Sequence, residues 1–240
     1  MTKTFKVLSA LLSYPTAELK AAAPELKAAL AAEALLPARV ATMAERLIDD
    51  IAGRDLTDAQ ERYVFLFDRT RSLSLHLFEH VHGESRERGQ AMVDLLALYE
   101  RHGLAISARE LPDYLPLFLE FLSTLPTDEA RALLTQPLHI LNALTDRLRK
   151  RDSVYEGAFR ALEALAKDAA KADDLVVLPE AEGDDPNNLQ ALDRAWEDDP
   201  VTFGPGTDSK GGCGRASEML ARMGNTQSPP AARPTKGQDR

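Results

Sequence analysis

Apolar residues recur along most of this chain at helical spacing. Phe5, Leu8 and Leu12 share one face of a helix predicted over residues 4–13, which stops at Tyr14 and Pro15. A second helical pattern covers residues 16–36. Pro24 should break or kink it, because proline lacks the N–H and crowds the preceding turn. Pro37 suits a first helical position. After it, Val40, Met43, Ala44, Leu47, Ile48 and Ile51 recur at i, i+3, i+4, i+7, i+8 and i+11, which predicts a helix with one buried face ending at Gly53. Thr57 to Gln60 reads as a capping box for a helix that carries Tyr63, Leu66 and Phe67 and ends near Asp68.

Residues 72–81 are mostly apolar and predict a buried helix. Glu84 or Ser85 should open the next, with Met92, Leu95, Leu96 and Tyr99 as its stripe and Gly103 as its end. Leu115, Phe118, Leu119 and Leu122 mark another, with Pro116 in its first turn if Asp113 is the cap. Thr127 and Pro137 open two more, the second carrying Leu138, Leu141 and Leu148. Ser153 to Glu156 is a further capping box, followed by Ala158, Phe159, Leu162, Leu165 and Ala166. No run alternates apolar and polar residues convincingly, and Leu175 to Leu178 is strand-like but short and without an evident partner. The fold expected is all-α, about nine helices in a single compact domain over residues 1–178.

Composition changes the picture beyond that point. Seven of the 14 prolines and eight of the 13 glycines lie in residues 179–240, and acids crowd residues 180–199. Such a stretch buries too little surface to offset its ordering entropy, so it is expected to be a largely disordered tail, acidic and then Gly/Pro-rich. Two islands stand out within it. Leu189, Leu192 and Trp196 lie at i, i+3 and i+7, and Met219, Leu220 and Met223 suit a helical turn or two. Either can dock on the core or on a partner.

The net charge is −9 and the pI is near 5.1, with no dense basic footprint of the kind a nucleic-acid binder needs. No apolar run approaches the ~18 residues of a membrane span. The run from Val7 to Leu12 is also shorter than the roughly 7–15 residues of an export signal. Cys213 is the one cysteine, so no disulfide forms within the chain and a cytoplasmic home is expected.

Candidate chemistry concentrates in residues 78–96, FEHVHGESRERGQAMVDLL. Two histidines, four acids and two arginines surround two glycines there, between two helical patterns. The plainest reading is a helical corner with solvated or capping charges. Arg86 and Arg88 resist it, because cations in a first helical turn oppose the helix dipole. A second reading is a helical metal-dependent hydrolase. It would use His76 and His80, four apart and so on one helical face, with His82 nearby. The spacing is not the His-Glu-x-x-His of a zinc protease, and no Cys-x-x-Cys completes a site. Cys213 has no neighbouring base to make it a nucleophile. Nothing composes a catalytic centre, and no metal or cofactor is assigned.

The same nineteen residues closely resemble the signature of the assembly chaperones of membrane-bound respiratory nitrate reductase, a branch of the redox-enzyme maturation chaperones. Leu11 to Pro15, Tyr63 to Asp68, and residues 110–122 (ELPDYLPLFLEFL) are similar to further elements of that family. The similarity covers about residues 5–200. One departure is Tyr114, where the wider family often carries histidine after the aspartate, here Asp113. The resemblance implies an all-helical cytoplasmic protein that is not an enzyme and not part of the finished reductase. It implies binding of the N-terminal peptide of the apo catalytic α subunit. It also implies holding that subunit ready for its molybdenum cofactor and an iron–sulfur cluster, and delaying membrane docking. Contact with molybdenum cofactor biosynthesis proteins fits the same role. The candidate contacts for the peptide are Asp68, Glu79, His80, His82, Glu84, Arg86, Glu87, Arg88, Asp113 and Tyr114. The acids among them would suit a basic peptide docked by its apolar face.

Overall fold

Every strong apolar stripe among the described residues is a helix in the computed structural model, which describes residues 2–82, 86–106, 110–167 and 190. The α-helices among the described residues are α1 (Lys3–Leu11), α2 (Ala17–Ala21), α3 (Ala23–Glu33), α4 (Ala38–Gly53), α5 (Leu56–Tyr63), α6 (Glu79–His82), α7 (Arg86–Arg101), α8 (Leu115–Thr124), α9 (Thr127–Thr135), α10 (Leu138–Lys150) and α11 (Glu156–Lys167). The fold is all-α. Among the described residues, extended pairing is confined to one isolated antiparallel bridge, His76 with Tyr114. Contacts divide the chain into two units, Met1–Glu197, which holds every described residue, and Asp198–Arg240. The expected boundary at residue 178, the strand-like run, both tail islands and Cys213 lie outside the described residues, apart from Gln190.

The core follows from the stripes. Phe5, Leu8, Leu11 and Leu12 of the α1 region are buried against α8 and α3, and Ala158, Phe159, Leu162, Leu165 and Ala166 seat α11 against α4, α9 and α10. Full burial of one such leucine or phenylalanine contributes about 1.5–3 kcal/mol. The α8 sequence is apolar on nearly every face, and accordingly Leu115, Phe118, Leu119, Phe121 and Leu122 are all buried. Pro24 sits in the first turn of α3, so the predicted break is real and separates α2 from α3. Gly103 adopts φ +75° and closes α7, with its N–H on the Glu100 carbonyl and that of Leu104 on Tyr99.

Five local details differ from or refine the expectation. Asp55, not Thr57, caps α5, its carboxylate accepting the Thr57 N–H at 2.8 Å. The α5 helix continues into a π-helical turn, Val64–Asp68, which moves Asp68 off the regular helical register. Pro37 is the N-cap of α4 rather than its first residue, and α8 is capped at Tyr114 rather than Asp113. The largest change is at residues 72–81, which are not one helix. A 3-10 turn, Arg71–Leu73, leads into an extended stretch, and only Glu79–His82 is α-helical. The reason is pairing. Leu115 N–H donates to the Leu75 carbonyl (2.8 Å) and Leu77 N–H to the Asp113 carbonyl (3.1 Å), so the backbone is satisfied without a helix.

One close approach was not legible beforehand. A Cβ on Gly157 would lie 2.5 Å from the Met43 carbonyl oxygen, where α11 crosses α4. Helix propensity alone favours alanine there by about 1 kcal/mol. Overpacking costs about 1–3 kcal/mol, and a backbone atom cannot step aside as a side chain can. Gly157→Ala should therefore lower the melting temperature; an unchanged or higher value in thermal denaturation would show that the crossing relaxes freely.

Candidate functional site

An apolar groove of about 200 Å³ opens beside the residues singled out in the sequence. Leu77, Phe78 and Val81 form one wall, Leu95 and Leu98 of α7 another, and Phe118 of α8 the floor. Leu133, Gln136, Pro137, His139 and Ile140 close the far side from α9 and α10. Val81 stands at the lip, 48% exposed. A larger, open cleft of about 740 Å³ runs past Tyr14, Phe65, Arg62 and Arg69, with Asp58 and Glu61. Its mixed polarity makes it the poorer receptor for apolar anchors.

The groove wall is held by Asp113. This side chain is fully buried. One carboxylate oxygen accepts the Phe78 N–H at 3.1 Å, and the other faces His76 Nδ1 at 3.2 Å. An acceptor carboxylate fixes the proton on Nδ1. Around it, Tyr99 of α7 donates to the Pro112 carbonyl at 2.7 Å. The Tyr114 ring packs on His76, with centroids 5.4 Å apart. The Tyr63 hydroxyl donates to the Leu12 carbonyl (2.9 Å), so its one proton is committed, and Tyr114 donates to Tyr63 at 3.0 Å. Residues 112–115 thereby tie α1, α5, α7 and the groove wall to α8.

Two histidines take opposite electrostatic characters. The hydrogen bond to Asp113 raises the His76 pKa, outweighing partial desolvation. Burial lowers that of His80, although its Nε2–H donates to the Ser74 carbonyl at 2.8 Å. The Ser72 carbonyl in the same turn accepts from Arg147 of α10 at 2.7 Å.

The structure thus places the anticipated residues in distinct settings. Asp113 is buried and its carboxylate is engaged, so it supports the wall from behind. Tyr114 is half-buried with its hydroxyl on Tyr63. Glu79 and Arg88 pair with each other at 3.3 Å across the α6–α7 junction, both half-buried, which supplies the missing reason for a cation at Arg88. Asp68 is exposed on the π-helical turn. The side chains of His82, Glu84, Arg86 and Glu87 lie outside the described residues, as does the expected cap at Glu84 or Ser85. The premise of the hydrolase reading fails, because His76 sits in the extended bridge and not on a helix with His80. No three metal-ligating side chains converge among the described residues. None of the residues that line the groove was among the candidate contacts. Phe78, Val81 and Leu95 lie within the stretch singled out, but as apolar positions they read as ordinary core, and the lining from α8, α9 and α10 carried no signal at all.

His76 generates a stability signature. Its folded pKa lies above the unfolded value of about 6.5. The added stability is therefore complete below that pH and is lost as the pH rises through the folded value. In denaturant titrations, the margin of the wild type over His76→Asn should be largest in mild acid and shrink in alkali. A margin that grows with pH would mean the imidazole is held neutral.

Residues 15–161, which include the groove and Asp113 with most of its partners, match the profile of the nitrate reductase delta subunit. The chain is 47% identical over 199 residues to the nitrate reductase molybdenum cofactor assembly chaperone NarJ of Escherichia coli K12, covering 82% of this chain and 83% of that protein. It is 46% identical over 165 residues to the probable nitrate reductase molybdenum cofactor assembly chaperone NarW of the same strain, covering 69% and 71%. It is 33% identical over 161 residues to the probable nitrate reductase molybdenum cofactor assembly chaperone NarJ of Bacillus subtilis 168, covering 67% and 86%. The chain belongs to the nitrate reductase delta subunit family.

Proposed function

We propose that this protein is an assembly chaperone for respiratory nitrate reductase whose apolar groove receives the N-terminal peptide of the apo catalytic α subunit. The observation that carries this reading is the groove itself: an apolar trough with an exposed valine at its lip, braced from behind by a buried carboxylate. A short amphipathic helix places side chains at i, i+3, i+4 and i+7 on one face, which suits such a trough. The relatives named above as molybdenum cofactor assembly chaperones support the same role. Bound in this way, the α subunit stays open for its molybdenum cofactor and iron–sulfur cluster, and its membrane docking is delayed. The cofactors are the client's cargo. The chaperone acts in the cytoplasm, performs no catalysis and leaves before the enzyme is finished. The exposed Asp68 and the acids at Glu84 and Glu87 draw in a basic peptide, with the Glu79–Arg88 pair as a further polar edge.

Isothermal calorimetry with a synthetic α-subunit N-terminal peptide tests the groove. Val81→Asp places a charge at its apolar lip and should weaken binding about tenfold or more, equivalent to about 1.4 kcal/mol, with melting unchanged. Unaltered affinity would move the peptide elsewhere. Exposed charges are screened over about 8 Å at physiological ionic strength, so raising the salt should also weaken association if acids steer it. Salt-independent affinity would leave only the apolar contact.

The paired arginines give a cellular test. Arg86→Ala combined with Arg88→Ala should fold normally yet support poor nitrate reductase activity in complemented cells. Full maturation by a well-folded double variant would make this junction plain surface.

A further inference from the structure

We propose that in the free protein the groove is occupied by the chain's own residues 189–196, which a client peptide displaces. The groove is the one assigned above to the client, so the proposal rests on that reading for its regulatory meaning.

The first argument is where the described chain leaves the core. The α11 helix ends at Lys167, and its Ala166 carbonyl lies 3.3 Å from the Thr135 hydroxyl at the end of α9. The next residues after Thr135, Gln136 and Pro137, line the groove. The chain therefore departs beside the groove's rim. The second argument is reach. Twenty-one residues, 168–188, separate Lys167 from Leu189. A flexible linker of that length spans about 25 Å r.m.s., against a radius of gyration of about 15 Å for a domain of this size. No part of the groove is out of range.

The third argument is complementarity. Leu189, Leu192 and Trp196 fall on one face of a helix, while Gln190 and Arg194 fall off it. Gln190 is helical and exposed, as this register requires. Two leucines and a tryptophan supply the anchors an apolar trough accepts, tryptophan being the side chain most enriched at binding hot spots.

Tethering makes even a weak contact count, because a short flexible linker gives an effective concentration of the order of millimolar. The consequence is a guarded groove. A client peptide must bind more tightly than the tethered segment, which lowers apparent affinity for every peptide and leaves weak apolar sequences outside.

Trp196 is the chain's only tryptophan, so its fluorescence reads the contact directly. In the full-length protein its emission should be blue-shifted and shielded from acrylamide. Leu192→Asp and Val81→Asp should each shift it to that of an exposed indole, with helical circular dichroism and melting unchanged. Val93→Asp, on the 59% exposed valine of α7 outside the groove lining, should leave it alone. An exposed Trp196 in the wild type, or a buried one indifferent to Val81→Asp, would overturn the proposal. A blue shift that vanishes on dilution would also overturn it, by giving the groove to a second copy. A tryptophan-free α-subunit peptide, added last, separates the two readings. If Trp196 is docked as expected but the peptide leaves it in place, self-occupancy stands and the client's use of this groove falls. If Trp196 is exposed while the peptide still binds through Val81, self-occupancy falls and the client reading stands.

Discussion

A carboxylate without access to water governs the shape of this protein's apolar groove. Leaving a buried carboxylate unpaired would cost several kcal/mol, so Asp113 requires its two partners, the Phe78 N–H and the His76 imidazole. Those partners lie 35 and 37 residues away in sequence. Satisfying them pulls residues 75–78 against residues 113–115 and prevents a continuous helix over residues 72–81. That break lets Phe78 and Val81 become a wall, and the wall together with α7 and α8 makes a groove. Tyr99 and Tyr114 then lock neighbouring helices to the same short segment.

Much of the fold was legible because helix periodicity survives translation into three dimensions. The stripes of α8 and α11 fall on buried residues, as does that of α4 from Ala44 onward, with Val40 and Met43 half-buried, and the break at Pro24 follows from one missing N–H. Residues 72–81 were misread for a definite reason. A short apolar run looks the same whether it is a buried helix or a buried extended segment, and the deciding hydrogen bonds come from residues 113–115. Asp55 and Thr57 both carry capping side chains, and sequence alone does not choose between them. The close pass of Gly157 over Met43 leaves no local trace at all.

The site was half legible. The density of charge in residues 78–96 drew attention to a stretch that adjoins the groove, and Asp113 became a candidate through the family resemblance rather than through its own local pattern. Its burial did not, since an aspartate beside a proline normally reads as an exposed cap. The groove was invisible because its lining is drawn from five elements whose apolar residues resemble ordinary core. Arg88 shows the value of local conflict as a clue: a cation unfavourable in a first turn has its reason in Glu79, across a junction that sequence analysis treats as a break.

These features describe a trough built from apolar surface, with polar groups that brace it. Asp113 and His76 hold the wall of the trough from behind, and Tyr63 ties the same segment to the core through Tyr114. The most direct test of this account is the contact itself. Isotope-filtered NOE spectroscopy on the labelled chaperone with an unlabelled α-subunit N-terminal peptide reads which methyl groups the peptide touches. Contacts from Val81, Leu95 and Leu98 are predicted. Contacts confined to Val64, in the open cleft beside Tyr14 and Phe65, would contradict it.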